Sequence, residues 1–111
     1  MDSRQDLGTC RAMRIARAYV AFRVPEEWAA HIGLNLGDTV YMTGELDGAI
    51  EVHTEERLWS QPVRLRVKDR RYPILTIPIV LARTRGIDAG DTLSLSADAQ
   101  SGSLWLRKEA G

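Results

Sequence analysis

Apolar and polar residues alternate with a period of two along several short stretches of the chain, which predicts β-strands with one buried face. The clearest stretch is VRLRVK at residues 63–68, in which every second residue is basic. A turn at residues 69–71 separates it from a second predicted strand, residues 72–77, whose Leu75 and Ile77 are expected to point inward. This segment therefore predicts a β-hairpin with one strongly basic strand.

The same elements are predicted earlier in the chain. Strands are expected over residues 11–16 and 19–24, and Val20, Phe22 and Val24 of the second share one face. A short helix follows in each half, PEEWAAHI and PIVLARTR. Each helix opens with a proline, which suits the first helical position because the missing N–H would have no partner there.

Each predicted helix ends at a glycine, Gly33 or Gly86, which adopts a left-handed cap without steric cost. A Gly-Asp-Thr turn follows at residues 37–39 and 90–92, and its aspartate is expected to accept backbone N–H bonds. A hairpin then closes each half. These terminal hairpins are expected from residues 40–44 with 49–53 and from residues 93–97 with 103–107.

The recurrence of these elements reflects an internal repeat with a period of 53 residues. Sliding residues 17–45 onto residues 70–98 without a gap gives eight identities in 29 positions, where chance at ~6% per position predicts roughly two. The identical pairs are Arg17/Arg70, Tyr19/Tyr72, Pro25/Pro78, Ala29/Ala82, Gly33/Gly86, Gly37/Gly90, Asp38/Asp91 and Thr39/Thr92.

Two repeats of the form ββαββ therefore predict a mostly-β fold with one short helix per repeat. A unit of ~50 residues buries too little of its own surface, so the two units are expected to share the core of one closed or nearly closed barrel. The predicted organisation is a flexible N-terminus at residues 1–10, a first repeat at 11–53, a linker at 54–62 and a second repeat at 63–107.

Composition narrows the class of protein. The chain has 111 residues, of which 44% are apolar and 27% charged, which excludes disorder and fibrous repeats. The single Cys10 excludes an internal disulfide and a cysteine-based zinc site. No apolar run of membrane-spanning or signal-peptide character occurs, so no membrane partner is expected and a cytoplasmic location is predicted.

Charge is balanced overall but segregated along the chain. The chain has fifteen basic and fifteen acidic residues, which gives a net charge of zero. Counting by segment gives +3 for residues 1–25, −8 for 26–56, +7 for 57–87 and −2 for 88–111. Such segregation creates local fields that the net charge hides, and basic segments of this kind favour nucleic-acid binding.

Two stretches carry a resemblance to a known family. FRVPEEWAAHIGLNLGDTVYM and LTIPIVLARTRGIDAGDTLSL resemble the SpoVT/AbrB swapped-hairpin domain, and the resemblance covers nearly the whole chain beyond the first ten residues. It implies a swapped-hairpin, or double-split, β-barrel in which two tandem repeats form a covalent pseudo-dimer similar to MraZ-type regulators. It also implies a DNA-binding transcriptional regulator, which would be nucleoid-associated.

The resemblance also assigns DNA contacts to individual residues. The family's arginine eleven residues before the proline matches Arg14, and in the second repeat its place lies between Arg66 and Lys68. Of the family's helix arginines, Arg83 is present. The family's arginine four residues before the proline is absent from both repeats.

Charge placement supports the same function on physical grounds. If the first hairpins pair about a pseudo-two-fold axis, their basic side chains are expected to converge at one end of the barrel, where guanidinium groups bind phosphates and guanine edges. The acidic residues of the first terminal hairpin would then face away. The predicted DNA-binding residues are Arg11, Arg14, Arg17, Arg23, Arg64, Arg66, Lys68, Arg70, Arg71 and Arg83.

The two repeats are not expected to bind equally. Glu26 and Glu27 open the first helix and would repel phosphate, whereas the second helix carries Arg83 and Arg85. We therefore predict an asymmetric interface in which the second repeat contributes more of the DNA affinity.

No enzyme is predicted. His31 and His53 have no ligand-like spacing, Cys10 lacks an activating neighbour, and no nucleophile motif or phosphate-binding loop is present. Catalytic, metal and cofactor sites are accordingly all predicted to be absent.

Two alternatives stay open on the sequence. One is a protein-interaction barrel, an antitoxin or an adaptor, which the acidic residues 45–56 favour. The other is that the strand arginines are simply solvated. The fused pseudo-dimer is predicted either to act as a monomer or to pair again.

Overall fold

The computed structural model describes residues 4–17, 19–68, 70–98 and 100–109, and of Lys68 the backbone alone. Within these ranges the chain forms nine strands and two helices. The strands are β1 Arg4–Ala16, β2 Tyr19–Arg23, β3 Thr39–Gly44, β4 Ile50–His53, β5 Gln61–Arg64, β6 Arg66–Lys68, β7 Tyr72–Ile77, β8 Thr92–Asp98 and β9 Ser103–Lys108. The helices are α1 Glu26–Ala30 and α2 Ile79–Thr84. The fold is mostly β, as the alternation of apolar and polar residues predicts.

The strands form one antiparallel sheet that curves into a nearly closed barrel. Its order is β5-β3-β4-β9-β8-β1-β2-β7-β6. Only Leu65 separates β5 from β6, so the chain itself joins the two ends of this order. Neither helix of the described residues is long and apolar enough to cross a membrane.

The two halves of the chain, β1 to β4 and β5 to β9, exchange strands around the barrel. β1 pairs with β8 along its first part and with β2 along its last part. In the second half β5 pairs with β3, and β6 pairs with β7. The first strand of each half therefore starts against the terminal hairpin of the other half and ends against its own second strand.

Two cross-strand pairs lie on the approximate two-fold axis that relates the halves. Phe22 of β2 pairs with Leu75 of β7, at the repeat offset of 53. Glu51 of β4 pairs with Trp105 of β9, at an offset of 54. A residue that pairs with its own equivalent must lie at the axis, so β2–β7 and β4–β9 occupy opposite sides of the barrel.

Side chains from both halves fill the interior. Trp28 and Phe22 are fully buried and pack edge to face, with ring centroids 5.6 Å apart. The Trp28 Nε1–H donates to the carbonyl oxygen of Ser96 at 3.2 Å, which anchors α1 of the first half on β8 of the second. The other largest fully buried side chains are Met42, Ile50, Leu75, Ile77, Leu93, Leu95, Leu104 and Leu106.

The Gly-Asp turn of the first half bonds to the first strand of the second half. Gly37 has a φ of 90°, and its N–H donates to the Leu65 carbonyl oxygen at 3.0 Å. The Leu65 N–H donates in turn to the Asp38 carbonyl oxygen at 2.9 Å. Oδ2 of Asp38 accepts the backbone N–H of Asn35 at 2.8 Å, which confirms the predicted role of this aspartate. The strand predicted over residues 63–68 divides at Leu65 into β5, which pairs with β3, and β6, which pairs with β7.

The second Gly-Asp turn repeats this arrangement. Gly90 has a φ of 94°, and its N–H donates to the Ala12 carbonyl oxygen at 2.8 Å. The Ala12 N–H donates to the Asp91 carbonyl oxygen at 2.8 Å, and Oδ2 of Asp91 accepts the backbone N–H of Asp88 at 2.7 Å. Ala12 and Leu65 are 53 residues apart, so this turn contact recurs at the offset of the sequence repeat.

The start of the chain corrects one prediction. Residues 1–10 were expected to be flexible, but residues 4–10 form the first part of β1 and pair with β8. Gly8, with a φ of 93°, lies at a shift in the register of this pairing. That irregularity breaks the alternation of apolar and polar residues, so the sequence pattern misses the strand. Residues 1–3 lie outside the described residues.

Three local expectations also change. Pro25 and Pro78 are extended N-cap residues that precede the helices, with ψ angles of 140° and 138°, rather than first helical residues. β5 begins at Gln61, so the connection between the halves is shorter than the predicted linker. Val67 was expected inside but is 43% exposed, because it lies on β6 at the end of the strand order, where no further strand covers it.

Candidate nucleic-acid interface

Three neighbouring strands place two of the predicted arginines in one row on the outer face of the barrel. Arg23 on β2 pairs with Ile74 on β7, and Ile74 pairs with Arg66 on β6. Directly opposed residues of antiparallel strands present their side chains on the same face, so Arg23 and Arg66 flank Ile74. Both arginines are exposed, whereas Ile74 is only 4% exposed.

Neutral groups contact these two guanidinium groups. Nη2 of Arg66 donates to Oγ1 of Thr76 at 3.3 Å. Cζ of Arg23 lies 5.0 Å from the centroid of the Tyr72 ring, within the range of a cation–π contact. Among the described residues neither arginine forms an ion pair with a carboxylate. Their positive charge therefore stays available to an external anion.

Three more arginines extend this surface. Arg64 on β5 borders one groove together with Arg66, while Arg70 and Arg71 in the β6–β7 turn border a cleft that also includes Arg23. All three are exposed, and within the described part of the chain none has an ion-pair partner. These five arginines are called the β6–β7 patch below.

A second group lies beside α2. Arg14, Arg17 and Arg83 border one cleft, and they are called the β1–β2 patch below. Nη1 of Arg14 donates to the Arg17 carbonyl oxygen at 2.9 Å, and its Nη2 lies 3.3 Å from Oδ1 of Asp88. This patch therefore carries a carboxylate that offsets part of its charge.

The expectation that all the basic residues converge at one end of the barrel is wrong. β2 and β7 run antiparallel, so the β1–β2 turn and the β6–β7 turn lie at opposite ends of this pair. At ~3.4 Å per residue, the five residues of β2 separate the turns by roughly 17 Å. The structure instead forms two groups on either side of the two-fold axis.

Two predicted residues belong to neither patch. Arg11 is exposed on β1 opposite Thr92 of β8, and it borders neither of the two clefts that the patches line. The side chain of Lys68 lies outside the described part of the chain, although its backbone pairs with Tyr72 in β6–β7.

The acidic terminal hairpin lies across the barrel from the β6–β7 patch, because β4–β9 and β2–β7 occupy opposite sides. Several of its carboxylates are paired locally. Oδ2 of Asp47 lies 2.5 Å from Nη2 of Arg107, and Glu51 forms an ion pair with Arg57. The backbone N–H of Ala49 holds the pKa of Asp47 below its ordinary value of 3.8, and Arg107 adds to that effect.

Of the other residues considered for chemistry, His53 is buried and Cys10 is half-buried. His53 is buried, with Nε2 3.0 Å from Oγ1 of Thr43 and Nδ1 2.7 Å from the Glu55 carbonyl oxygen. Burial raises the pKa of Cys10 to about 11, so its thiol stays protonated at neutral pH. Among the described residues no three His, Cys, Asp or Glu side chains are grouped to hold a metal ion.

Two features escaped the sequence analysis. Trp59, in the connection between the halves, is 85% exposed and has a φ of 68°. The apolar cleft beside the β6–β7 turn was also missed, because its walls come from opposite halves of the chain. Periodicity within one half contains no signal for such a site.

Comparison with known proteins leaves the family open. The chain matches no protein-family model, no curated protein and no solved structure.

Proposed function

We propose that this protein is a DNA-binding transcriptional regulator that contacts duplex DNA mainly through the β6–β7 patch. The observation that carries the proposal is a set of five exposed arginines on adjoining strands and one turn, none of which is paired with a carboxylate among the described residues. Arginine binds phosphate oxygens with two hydrogen bonds in a fixed planar geometry, which suits it to a nucleic-acid backbone.

The strand pairing supports the architecture that this function requires. We propose that the barrel is a swapped-hairpin fold of two AbrB-like repeats. Each half starts its first strand against the terminal hairpin of the other half, and the two second strands pair at the axis through Phe22 and Leu75. Such an exchange gives a covalent pseudo-dimer, and it brings both basic hairpins onto one side of the barrel.

A net charge of zero is compatible with DNA binding. Affinity depends on the phosphates that are contacted locally, since each contact releases condensed counterions. The acidic terminal hairpin lies on the opposite side of the barrel, where its carboxylates are remote from a duplex bound at β2–β7. Affinity is therefore expected to fall steeply with salt concentration.

The two patches are expected to contribute unequally. In the β1–β2 patch Arg14 is paired with Asp88, whereas the β6–β7 patch has more arginines and no such pair. The second half therefore supplies more of the affinity, although Arg83 lies beside the hairpin of the first half, not that of its own.

The test is fluorescence anisotropy with a labelled duplex from the protein's own promoter, at ~50 and ~200 mM salt, with a random duplex as competitor. The variant is Arg66→Gln/Arg70→Asn/Arg71→Gln, in which asparagine is chosen because it tolerates the φ of 57° at position 70. The matched control is Arg14→Gln/Arg17→Gln/Arg83→Gln, which removes the same charge from the other patch.

We expect the first variant to lose at least tenfold in affinity, and the slope of log K against log salt to fall by up to about 0.9 per lost phosphate contact. The control should lose clearly less. Equal losses would contradict the asymmetry, and absence of wild-type binding at low salt would contradict DNA binding altogether.

The second candidate function is a protein-interaction barrel, an antitoxin or an adaptor. Leu58 and Trp59 favour it, since they are 81% and 85% exposed at a turn that follows the acidic Glu55 and Glu56. Co-purification with a stoichiometric partner that is lost in Trp59→Ala, together with no duplex binding, would favour this function.

A further inference from the structure

A cleft of about 820 Å³ lies between the β6–β7 turn and α1, and it is called the α1 cleft below. Its equivalent under the internal repeat lies between the β1–β2 turn and α2, with a volume of about 360 Å³, and is called the α2 cleft. Ligand sites for small molecules occupy roughly 300–1,000 Å³ and are mostly apolar with a few polar groups. The α1 cleft has room for a larger ligand than its counterpart.

Apolar side chains form both the floor and the rim of the α1 cleft. Val24, Leu34 and Leu65 are buried and form its base, at 2%, 9% and 3% exposure. At the rim, Val67 is 43% and Leu36 is 61% exposed. These two contribute apolar surface that a bound molecule would remove from water.

The repeat shows that this apolar rim is particular to one cleft. Val67 stands at the position of Arg14, which lines the α2 cleft, and Leu36 stands at the position of Ala89. The α1 cleft thus has a branched aliphatic side chain where the α2 cleft has a charged one, and a leucine at the position of an alanine. The shared backbone framework does not require either difference.

Cations lie beside this apolar surface. Arg70 and Arg71 line the α1 cleft, and neither has an ion-pair partner among the described residues. Arg23 also lines it, stacked on Tyr72. Glu26 is the single carboxylate among the described lining residues, so positive charge predominates. In the α2 cleft Arg14 is instead paired with Asp88.

We propose that the α1 cleft binds a free anionic amphiphile, a monocarboxylate or monophosphate with an aliphatic body of about eight to twelve carbons. Arg70 and Arg71 take the anionic head, and the apolar base and rim take the chain. The proposal concerns binding in the absence of DNA, so it holds or fails independently of the proposed function.

The probe is decanoate, titrated into the full-length protein by isothermal calorimetry, with decanol and acetate as comparison ligands. Decanoate should bind at least tenfold more tightly than either, because only it supplies both the anion and the chain. Shortening the chain should weaken binding by about fourfold per methylene, the value for burying one CH₂.

Two variants with matched controls locate the site. Arg70→Asn/Arg71→Gln should weaken decanoate binding at least tenfold, while Arg14→Gln/Arg17→Gln in the α2 cleft leaves it unchanged. Leu36→Ser should weaken it several-fold, while the same change at the more exposed Leu46, Leu46→Ser, leaves it unchanged. Leu36 and Leu46 are both surface residues, so neither change is expected to unfold the protein.

No binding of decanoate, or equal losses in the variants and their controls, would overturn the proposal. Sedimentation with phosphatidylglycerol vesicles distinguishes a membrane source of the same chemistry. If the protein binds such vesicles through Arg70 and Arg71 but does not bind monomeric decanoate, the ligand is a lipid surface and the proposal is wrong.

Discussion

The Gly-Asp turns of the two halves have nearly the same backbone conformation and contacts, while the solvent-facing side chains of the halves differ. At the Gly-Asp turns, Gly37 and Gly90 have φ angles of 90° and 94° and donate to equivalent carbonyl oxygens of opposite first strands. On those strands the residue after the turn contact is Met13, which is half-buried, in the first half and Arg66, which is exposed, in the second.

The turns agree and the exposed side chains differ because only buried backbone groups require hydrogen-bonding partners. Buried backbone N–H and C=O groups need partners, and closing the barrel fixes which partners are within reach. Exposed side chains on the outer face have no such requirement, so they can differ between halves without loss of the fold. A duplicated framework can therefore carry two arginine patches that differ in net charge.

The largest loss of stability is expected from substitutions in the core, where the two halves also differ. Trp28 and Leu81 are equivalent residues of α1 and α2, but Trp28 is fully buried whereas Leu81 is 8% exposed. Trp28→Ala should lower the free energy of unfolding by about 4 kcal/mol, and Leu81→Ala by about 2 kcal/mol, because the larger side chain leaves the larger cavity. Urea unfolding measures both. A larger loss for Leu81→Ala would mean that α2, not α1, is the principal helix of the core.

Substitutions at the two Gly-Asp turns are expected to cost less stability than those in the core, and to cost the same at both turns. A Cβ at Gly37 or Gly90 would meet no atom within 4 Å, so the cost of alanine comes from the positive φ alone. Gly37→Ala and Gly90→Ala should each lower the free energy of unfolding by about 1–2 kcal/mol. Gly37→Asn is the control, since asparagine tolerates this conformation better. Losses that differ between the turns by more than ~1 kcal/mol would show that the framework is not equivalent.

The smallest loss of stability is expected from a substitution in the turns of the two terminal hairpins. Oδ1 of Asp47 accepts the Ala49 N–H at 3.0 Å, whereas in the second half the Oγ of Ser101 accepts the Ser103 N–H at 3.4 Å. The folded-state pKa of Asp47 is lowered, so its carboxylate stabilises the fold above its ordinary pKa of 3.8 and stops doing so as the pH falls through the lowered value.

Asp47→Ser should accordingly cost less than ~1 kcal/mol at pH 7, because the carboxylate is exposed and screened by solvent. The difference from the wild type should shrink as the pH falls below 3.8. Urea unfolding at pH 7 and at pH 3 measures it. A difference that grows on acidification would contradict the assignment.

Much of the fold could be predicted from local patterns. The period of 53 residues predicts that Gly33 and Gly86 adopt the same left-handed conformation, and their φ angles are 63° and 65°. The prediction works because a helix cap depends on a few consecutive residues. The hairpins of the terminal strands are predicted for the same reason, since each forms between segments close in sequence.

The candidate interface was predictable in composition but not in arrangement. The alternation at residues 63–68 predicts exposed arginines, and Arg64 and Arg66 are exposed. The neighbours of Arg83 were not predictable, because α2 packs beside the hairpin of the other half. Which helix borders which hairpin depends on contacts between residues that are far apart along the chain.

By itself the sequence determined the repeat, the strands and helices within each half, the helix caps and the segregation of charge. The repeat follows from comparing two segments of the chain, and the other features follow from residues that are near one another along it. Only the tertiary structure decided the interruption at Leu65, the two separate arginine patches and the α1 cleft. They arise where the two halves exchange strands, because that exchange sets which backbone groups and side chains of one half meet those of the other.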